Sequence, residues 1–401
     1  MRLRHLFTVL MLPLALAGSA LAQGVSPESA KKYTEGQDLF KKRKYREALA
    51  VFEEAVKMDA KNAQAYRAQG KTFEKLRNLD NAEEAYKMAT SVKDDYVEAY
   101  YELGHLQLRR KSFENAQGSF KQVIQINPSF QDGKAQEALK VAFLKQGSVF
   151  YKQRNYPKAA AQYESATQID PSDAKAFYNL GLMQKMARKT GAAQQALETA
   201  IDLDPTYGKA HRALGDLHKS TGKSSKAISA YLKAIKADVK DNRSRLQLAS
   251  VYQKINQNSK AITVLKKAAT INAKDAKIWN ALGKAQADAK TYKSALSSYR
   301  KAIAIKSNPE YHYRAGDAHL ELKQFKSAIA SASKATKSSK WKVPANVILG
   351  DSYRELGDKD KAVAHYKKGV SDRRFKKYCE DQIDRILNPM GGGEESEAED
   401  Q

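Results

Sequence analysis

Small and large apolar positions recur along this chain every 34 residues. A small residue stands at Gly36, Gly70 and Gly104, then at Gly147, Gly181, Gly215, Ala249 and Gly283, then at Gly316 and Gly350. Twelve residues after each comes alanine: Ala48, Ala82, Ala116, Ala159, Ala193, Ala227, Ala261, Ala295, Ala328 and Ala362. Four further on the residue is large, as at Phe52, Tyr86, Phe120, Tyr163, Leu197, Tyr231, Leu265, Tyr299 and Tyr366, and only Ala332 departs. A fixed period of this length predicts one helical hairpin copied many times. In one unit, Ala176, Phe177, Leu180, Gly181 and Gln184 follow helical spacing. A turn is expected near Arg188 to Gly191. A second helix then places Ala193, Ala196, Leu197, Ala200 and Ile201 on one face, and Asp204-Pro205 stops it. Pro128 and Pro171 stop earlier units in the same way. The small residues let the paired helices approach closely, and the large one fills the space between repeats.

Two irregularities divide the array. Gly104 and Gly147 are 43 apart, which places a nine-residue insertion in 129–139. Gly283 and Gly316 are 33 apart, one residue short around Ser307-Asn308-Pro309. The expected organisation is three repeats in 23–128, the insertion, and seven repeats in 140–374. A closing helix then follows in 375–390, as the end of a stacked array requires. The acidic stretch 391–401 opens with three glycines and is expected to be disordered.

With these residues in view, the chain resembles the tetratricopeptide repeat family over about residues 26–374. Repeat length, the small–large order and the terminal prolines carry the resemblance. The family's tryptophan is scarce: Trp279 stands at its first-helix site in one unit, and Tyr33 and Tyr66 replace it elsewhere. The resemblance implies an all-α fold, a right-handed superhelical solenoid of helix-turn-helix repeats. It implies further that first helices line a concave groove, with inward residues six and three before the small residue and one, four and five after it. Read at those positions, the fifth to eighth repeats carry Lys175, Tyr178, Lys185, Lys209, Arg212, Lys219, Arg243, Lys254, Lys277 and Lys284, opposed by Asp216 and Asp288. The next two repeats reverse sign with Glu310, Asp317, Glu321, Asp351 and Glu355, opposed by Arg354. The earlier groove is more aromatic, with Tyr33, Phe40, Tyr101, His105, Leu108, Leu144, Tyr151 and Tyr178. Lys209, Arg212, Lys219 and Arg243 form the expected centre for an acidic partner, because converging cations favour carboxylates. A lysine-rich solubilising surface would look similar.

Composition and charge then place the protein. Arg2 and Arg4 precede an apolar run from Leu6 to Leu16, and Ala20-Leu21-Ala22 has the form of a cleavage site. Residues 1–22 therefore read as a signal peptide cleaved after Ala22, which makes the mature chain periplasmic or secreted, with no membrane span. The formal net charge is +25. Without the leader and the acidic tail, the body holds about +28. Such a surface attracts polyanions. For an exported protein the expected partners are proteins with acidic segments or an anionic envelope polymer such as wall glycan or lipopolysaccharide, and no nucleic acid is expected. No phosphate loop, H-E-x-x-H or G-x-S-x-G pattern occurs. His211 and His218, and His312 and His319, are seven apart, but they stand where other repeats carry packing residues. No catalytic residue, metal site or cofactor is therefore expected. Cys379 is the only cysteine, so it is either a small buried residue or a link between two chains. The function read from the sequence is a non-catalytic interaction scaffold of the bacterial envelope, with direct binding of an anionic polymer as the alternative.

Overall fold

The computed structural model describes residues 24–388; the leader 1–22 and the acidic tail 391–401 lie outside the described residues. Among the described residues the regular structure is helical throughout, without strands. The chain divides into two compact units, one ending at Asp204 and the other starting at Pro205. That division falls between the fifth and sixth repeats. The insertion at 129–139, expected to separate three repeats from seven, lies inside the first unit.

In the first unit five hairpins follow one another. They are α1 (Pro27–Lys41) with α2 (Tyr45–Met58), α3 (Ala63–Lys75) with α4 (Leu79–Val92), α5 (Val97–Arg109) with α6 (Phe113–Ile126), α7 (Lys134–Lys152) with α8 (Tyr156–Ile169), and α9 (Ala174–Met186) with α10 (Thr190–Leu203). The second unit repeats the arrangement. Its pairs are α11 (Gly208–Ser220) with α12 (Ser224–Ala237), α13 (Asn242–Lys254) with α14 (Asn258–Ile271), α15 (Ala276–Asp288) with α16 (Tyr292–Ile305), α17 (Pro309–Glu321) with α18 (Phe325–Ala335), and α19 (Ser339–Glu355) with α20 (Lys359–Gly369). A closing helix, α21 (Lys376–Leu387), packs on α20.

The recurring small residue is a packing device. A Cβ placed on Gly70 would lie 2.6 Å from the Tyr86 ring, and one on Gly283 would lie 2.5 Å from the Tyr299 ring. Those rings are essentially fully buried. The ring sixteen residues on therefore occupies the space a side chain would need. At the exceptional repeat, Gly316 faces the backbone of Ala332 instead. Tyrosine brings a second benefit. Its hydroxyl passes the core and donates to a carboxylate on the first helix: Tyr86 to Glu74 (2.8 Å), Tyr231 to Asp216 (2.7 Å) and Tyr366 to Asp351 (2.7 Å).

Each hairpin turns on one left-handed residue, seven after the small position. The residues are Arg43, Arg77, Lys111, Arg154, Arg188, Gly222, Asn256, Lys290, Lys323 and Gly357. The turn closes by a backbone bond across it, as from Asn78 N–H to the Phe73 carbonyl (2.9 Å). Only two of these positions hold the glycine that such a conformation favours. Cations at most of the others sit at the C-terminal end of a helix, where its dipole welcomes positive charge. Second helices end on extended residues such as Asp170 and Asp204, each followed by a proline.

The insertion forms a short 3-10 turn over Phe130–Gly133, and α7 runs for 19 residues where α5 has 13. Phe130 pins the turn down: it is buried and meets Tyr101 edge-on at 5.1 Å. Gln131 (φ +46°), Asp132 (φ +54°) and Gly133 (φ +85°) are consecutive left-handed residues.

Candidate functional site

The first unit holds two neighbouring cavities of about 180 and 610 Å3. Their walls come almost entirely from first helices. α1 supplies Tyr33, Gln37 and Phe40; α3 supplies Arg67, Lys71, Glu74 and Lys75; α5 supplies Tyr101, Glu102, His105 and Arg109. Most of these stand three before, or one, four or five after, the small residue, as the family resemblance implied. Two kinds of lining residue were missed. Glu102 stands two before Gly104, outside the expected offsets, and Gln131 belongs to the insertion, where no period guides the reading.

The cavity floor is aromatic. Tyr101 packs on His105 (4.5 Å) and Phe120 (6.0 Å), and Phe130 continues the cluster. Burial, reinforced by the nearby Arg109 charge, holds the His105 imidazole below its ordinary pKa, so it is neutral near pH 7. Burial raises the Tyr33 hydroxyl to about 12. The charged wall is internally bonded. Arg67 grips Glu102 with two bonds of 2.6 and 2.9 Å, and Lys71 adds a third at 2.8 Å. Glu74 accepts from Tyr86 and pairs with Arg109. Together the two linings hold five cations, Lys41, Arg67, Lys71, Lys75 and Arg109, against the carboxylates of Glu74 and Glu102. The surplus is positive.

The structure splits the sequence-predicted basic stripe between the units. Lys175, Tyr178 and Lys185 lie on α9 of the first unit, with Lys175 exposed and the other two partly buried. The remaining seven lie on α11, α13 and α15 of the second unit. Lys209, Arg243, Lys254 and Lys277 are exposed, and Lys284 is partly buried. Two of the four cations expected to converge are otherwise engaged. Arg212 bonds the buried Asp241 carboxylate at 2.8 Å, and Asp241 also accepts from Ser244. Lys219 donates to Gln247 (2.7 Å) and Ser250 (2.9 Å). Burial first, then the charges of Lys254 and Lys284, lower the Lys219 ammonium below its usual pKa. The charges of Lys254 and Lys284 therefore reach Lys219. Arg212 is a structural cation, fixed by a loop aspartate 29 residues away that periodicity does not reveal.

The histidines at packing positions are buried: His211, His218, His312 and His319 all expose 8% or less. His211 meets the Pro205 carbonyl and His312 the Ser307 hydroxyl. Among the described residues, no group of His, Cys, Asp and Glu is arranged to hold a metal ion. No described helix is long and apolar enough to cross a membrane. Cys379 is fully buried, against Val347, Ala362 and Tyr366, and burial raises its thiol to about 11.

Tandem hairpins presenting a groove of first-helix side chains define a repeat-array protein of the kind that acts as an interaction scaffold. Comparison with known proteins then specifies the family. The model for the C-terminal domain of cilia and flagella-associated protein 70, itself built of such repeats, matches residues 94–318. Tetratricopeptide repeat models match 33–95, 309–340 and 343–371. The chain belongs to the tetratricopeptide repeat family. The C-terminal part of a repeat-containing protein from Cytophaga hutchinsonii is 20% identical, with a TM-score of 0.52 over 60% of this chain and 99% of that one. The human protein O-mannosyl-transferase TMTC3 is 25% identical over 163 residues, which is 37% of this chain. The chain spans only 17% of that relative's length.

Proposed function

We propose that this protein is a non-catalytic scaffold of the bacterial cell envelope, binding a partner's peptide segment or helix in the groove of its first unit. The observation that carries this reading is the pair of adjoining cavities, floored by aromatic rings and walled by first helices. Aromatic anchors in desolvated pockets supply most of the energy at interfaces of this kind. Within the same unit the cations lining the cavities outnumber their carboxylates, which adds attraction for acidic segments. Export rests on the leader-like residues 1–22. Transferase chemistry forms no part of the reading, because the match to the O-mannosyl-transferase covers so little of that protein.

The test is capture from an envelope extract on the immobilised mature chain, quantified by mass spectrometry. Tyr101→Ala should reduce retention of the bound partner by about tenfold, the effect of losing one aromatic anchor. The control reverses Lys233 and Lys267, two lysines on second helices, to glutamate. Equal retention by wild type and Tyr101→Ala would remove the groove from the reading. The body's large positive charge favours a second reading, direct binding of an anionic polymer. In that case affinity should fall steeply with salt and be indifferent to Tyr101.

A further inference from the structure

The insertion has no counterpart in the other repeats, yet it reaches the larger cavity. Phe130 fastens it to Tyr101, and the next residue, Gln131, lines the cavity rim. Gln131 and Asp132 hold left-handed backbone that non-glycine residues rarely adopt. Such strain costs of order 1–3 kcal/mol per residue and persists only where the surroundings enforce it. The strain therefore has a product: it aims one exposed side chain over a groove. The Gln131 amide has no hydrogen-bond partner of its own among the described residues. A primary amide offers both a donor and an acceptor, which matches the C=O and N–H of an extended peptide.

We propose that Gln131 is a specificity-determining residue of the groove. Its amide reads the backbone of an extended partner segment whose aromatic side chain enters the cavity beside Tyr101 and whose flanking carboxylates face Lys75, the exposed wall cation that neither Glu74 nor Glu102 holds. Three observations fix that chemistry. The floor is aromatic, which suits a ring. The cations of the wall outnumber its carboxylates, which suits acidic neighbours. Gln131 is the one residue of the insertion that lines the larger cavity, which suits a segment held in one register. This inference rests on the peptide-binding reading above and adds the partner's chemistry to it.

The probe is a dye-labelled nine-residue peptide with a central phenylalanine between two pairs of aspartates, read by fluorescence anisotropy on the full mature chain. Two control peptides replace the phenylalanine by alanine or the aspartates by lysines. The first peptide should bind at least tenfold more tightly than either control. Gln131→Gly should weaken it about fivefold, the loss of one net hydrogen bond. The same variant should melt higher, because glycine suits the left-handed backbone. Asp132→Gly relieves the neighbouring strain without touching the cavity, so its affinity should stay within twofold of wild type. Unchanged affinity in Gln131→Gly overturns the role of the amide. Equal loss in Asp132→Gly overturns it too, since turn conformation would then be the cause. Equal binding of the phenylalanine and alanine peptides overturns the aromatic anchor. If no peptide binds while Tyr101→Ala still reduces capture from extract, this inference fails and the peptide-binding reading stands. If Tyr101→Ala leaves capture intact, that reading fails itself.

Discussion

A single methyl group has opposite consequences at two glycines of this chain, and the packing says why. Gly70→Ala would drive a Cβ into the buried Tyr86 ring, with contacts of 2.6 and 2.7 Å. Overpacking of this kind costs about 1–3 kcal/mol, more than the helix propensity gained. Gly118 lies exposed on α6 with nothing within 4 Å of the same added atom. Gly118→Ala should therefore stabilise by about 1 kcal/mol. Urea melts of both variants check the pair, and a stabilising Gly70→Ala would refute the packing account. The turn residues give a second case. Lys111 holds φ +62°, which costs an L-residue about 1–2 kcal/mol, while glycine gives back about 0.5–1 through its unfolded-state freedom. Lys111→Gly should gain roughly 0.5 kcal/mol by the same measurement. Arg212→Glu should lose roughly 2–3 kcal/mol, because the Asp241 carboxylate, 5% exposed, would face a second carboxylate instead of its cation. A loss below about 0.5 kcal/mol would mean the pair is in effect solvated and Arg212 is free to bind ligands after all.

At the scale of elements, the sequence disclosed nearly everything that repeats and little that does not. Ten hairpins and a closing helix follow from the spacing of glycine, alanine and large residues, since each unit must bury the same face against its neighbours. The cavity-facing offsets were legible for the same reason, and Tyr33, Phe40, Tyr101 and His105 line the cavities. The basic stripe was legible only as charge. Where its cations go depends on loop and cross-repeat partners such as Asp241 and Gln247, which no period specifies. Gln131 was hidden because an insertion has no register to read. The closing helix carries its own prediction. Cys379 lies 2.5 Å from where a Cβ on Gly369 would be, so α21 sits tightly on α20. The folded thiol should react with a disulfide reagent at least a hundredfold more slowly than the urea-unfolded one, as a buried, protonated thiol does. Equal rates would mean that α21 detaches, which would restore the link between chains as an open reading of this cysteine.

Over the whole molecule, positive charge and buried histidine act on stability in the same direction as pH falls, and they can be separated. Self-repulsion in a chain of net charge +25 destabilises the compact state and is screened by salt. The histidines act differently. Burial, aided by nearby cations, holds His105, His312 and His365 below their ordinary pKa. Above about pH 6.5 an imidazole is neutral in both folded and unfolded chains, and the two states do not differ in bound protons. Below it the unfolded chain takes up protons first, so stability present above pH 6.5 is lost as pH falls. His365 gives this loss a structural site. Its Nδ1 lies 2.7 Å from Asn346 Oδ1 and its ring stacks on Tyr353. Melting temperature should therefore fall between pH 7.5 and 5.5 at both low and high salt. The fall at high salt should shrink when His312 and His365 are both replaced by glutamine. A fall that disappears in salt, or that persists unchanged in the double variant, would assign the pH dependence to long-range repulsion and not to these desolvated rings.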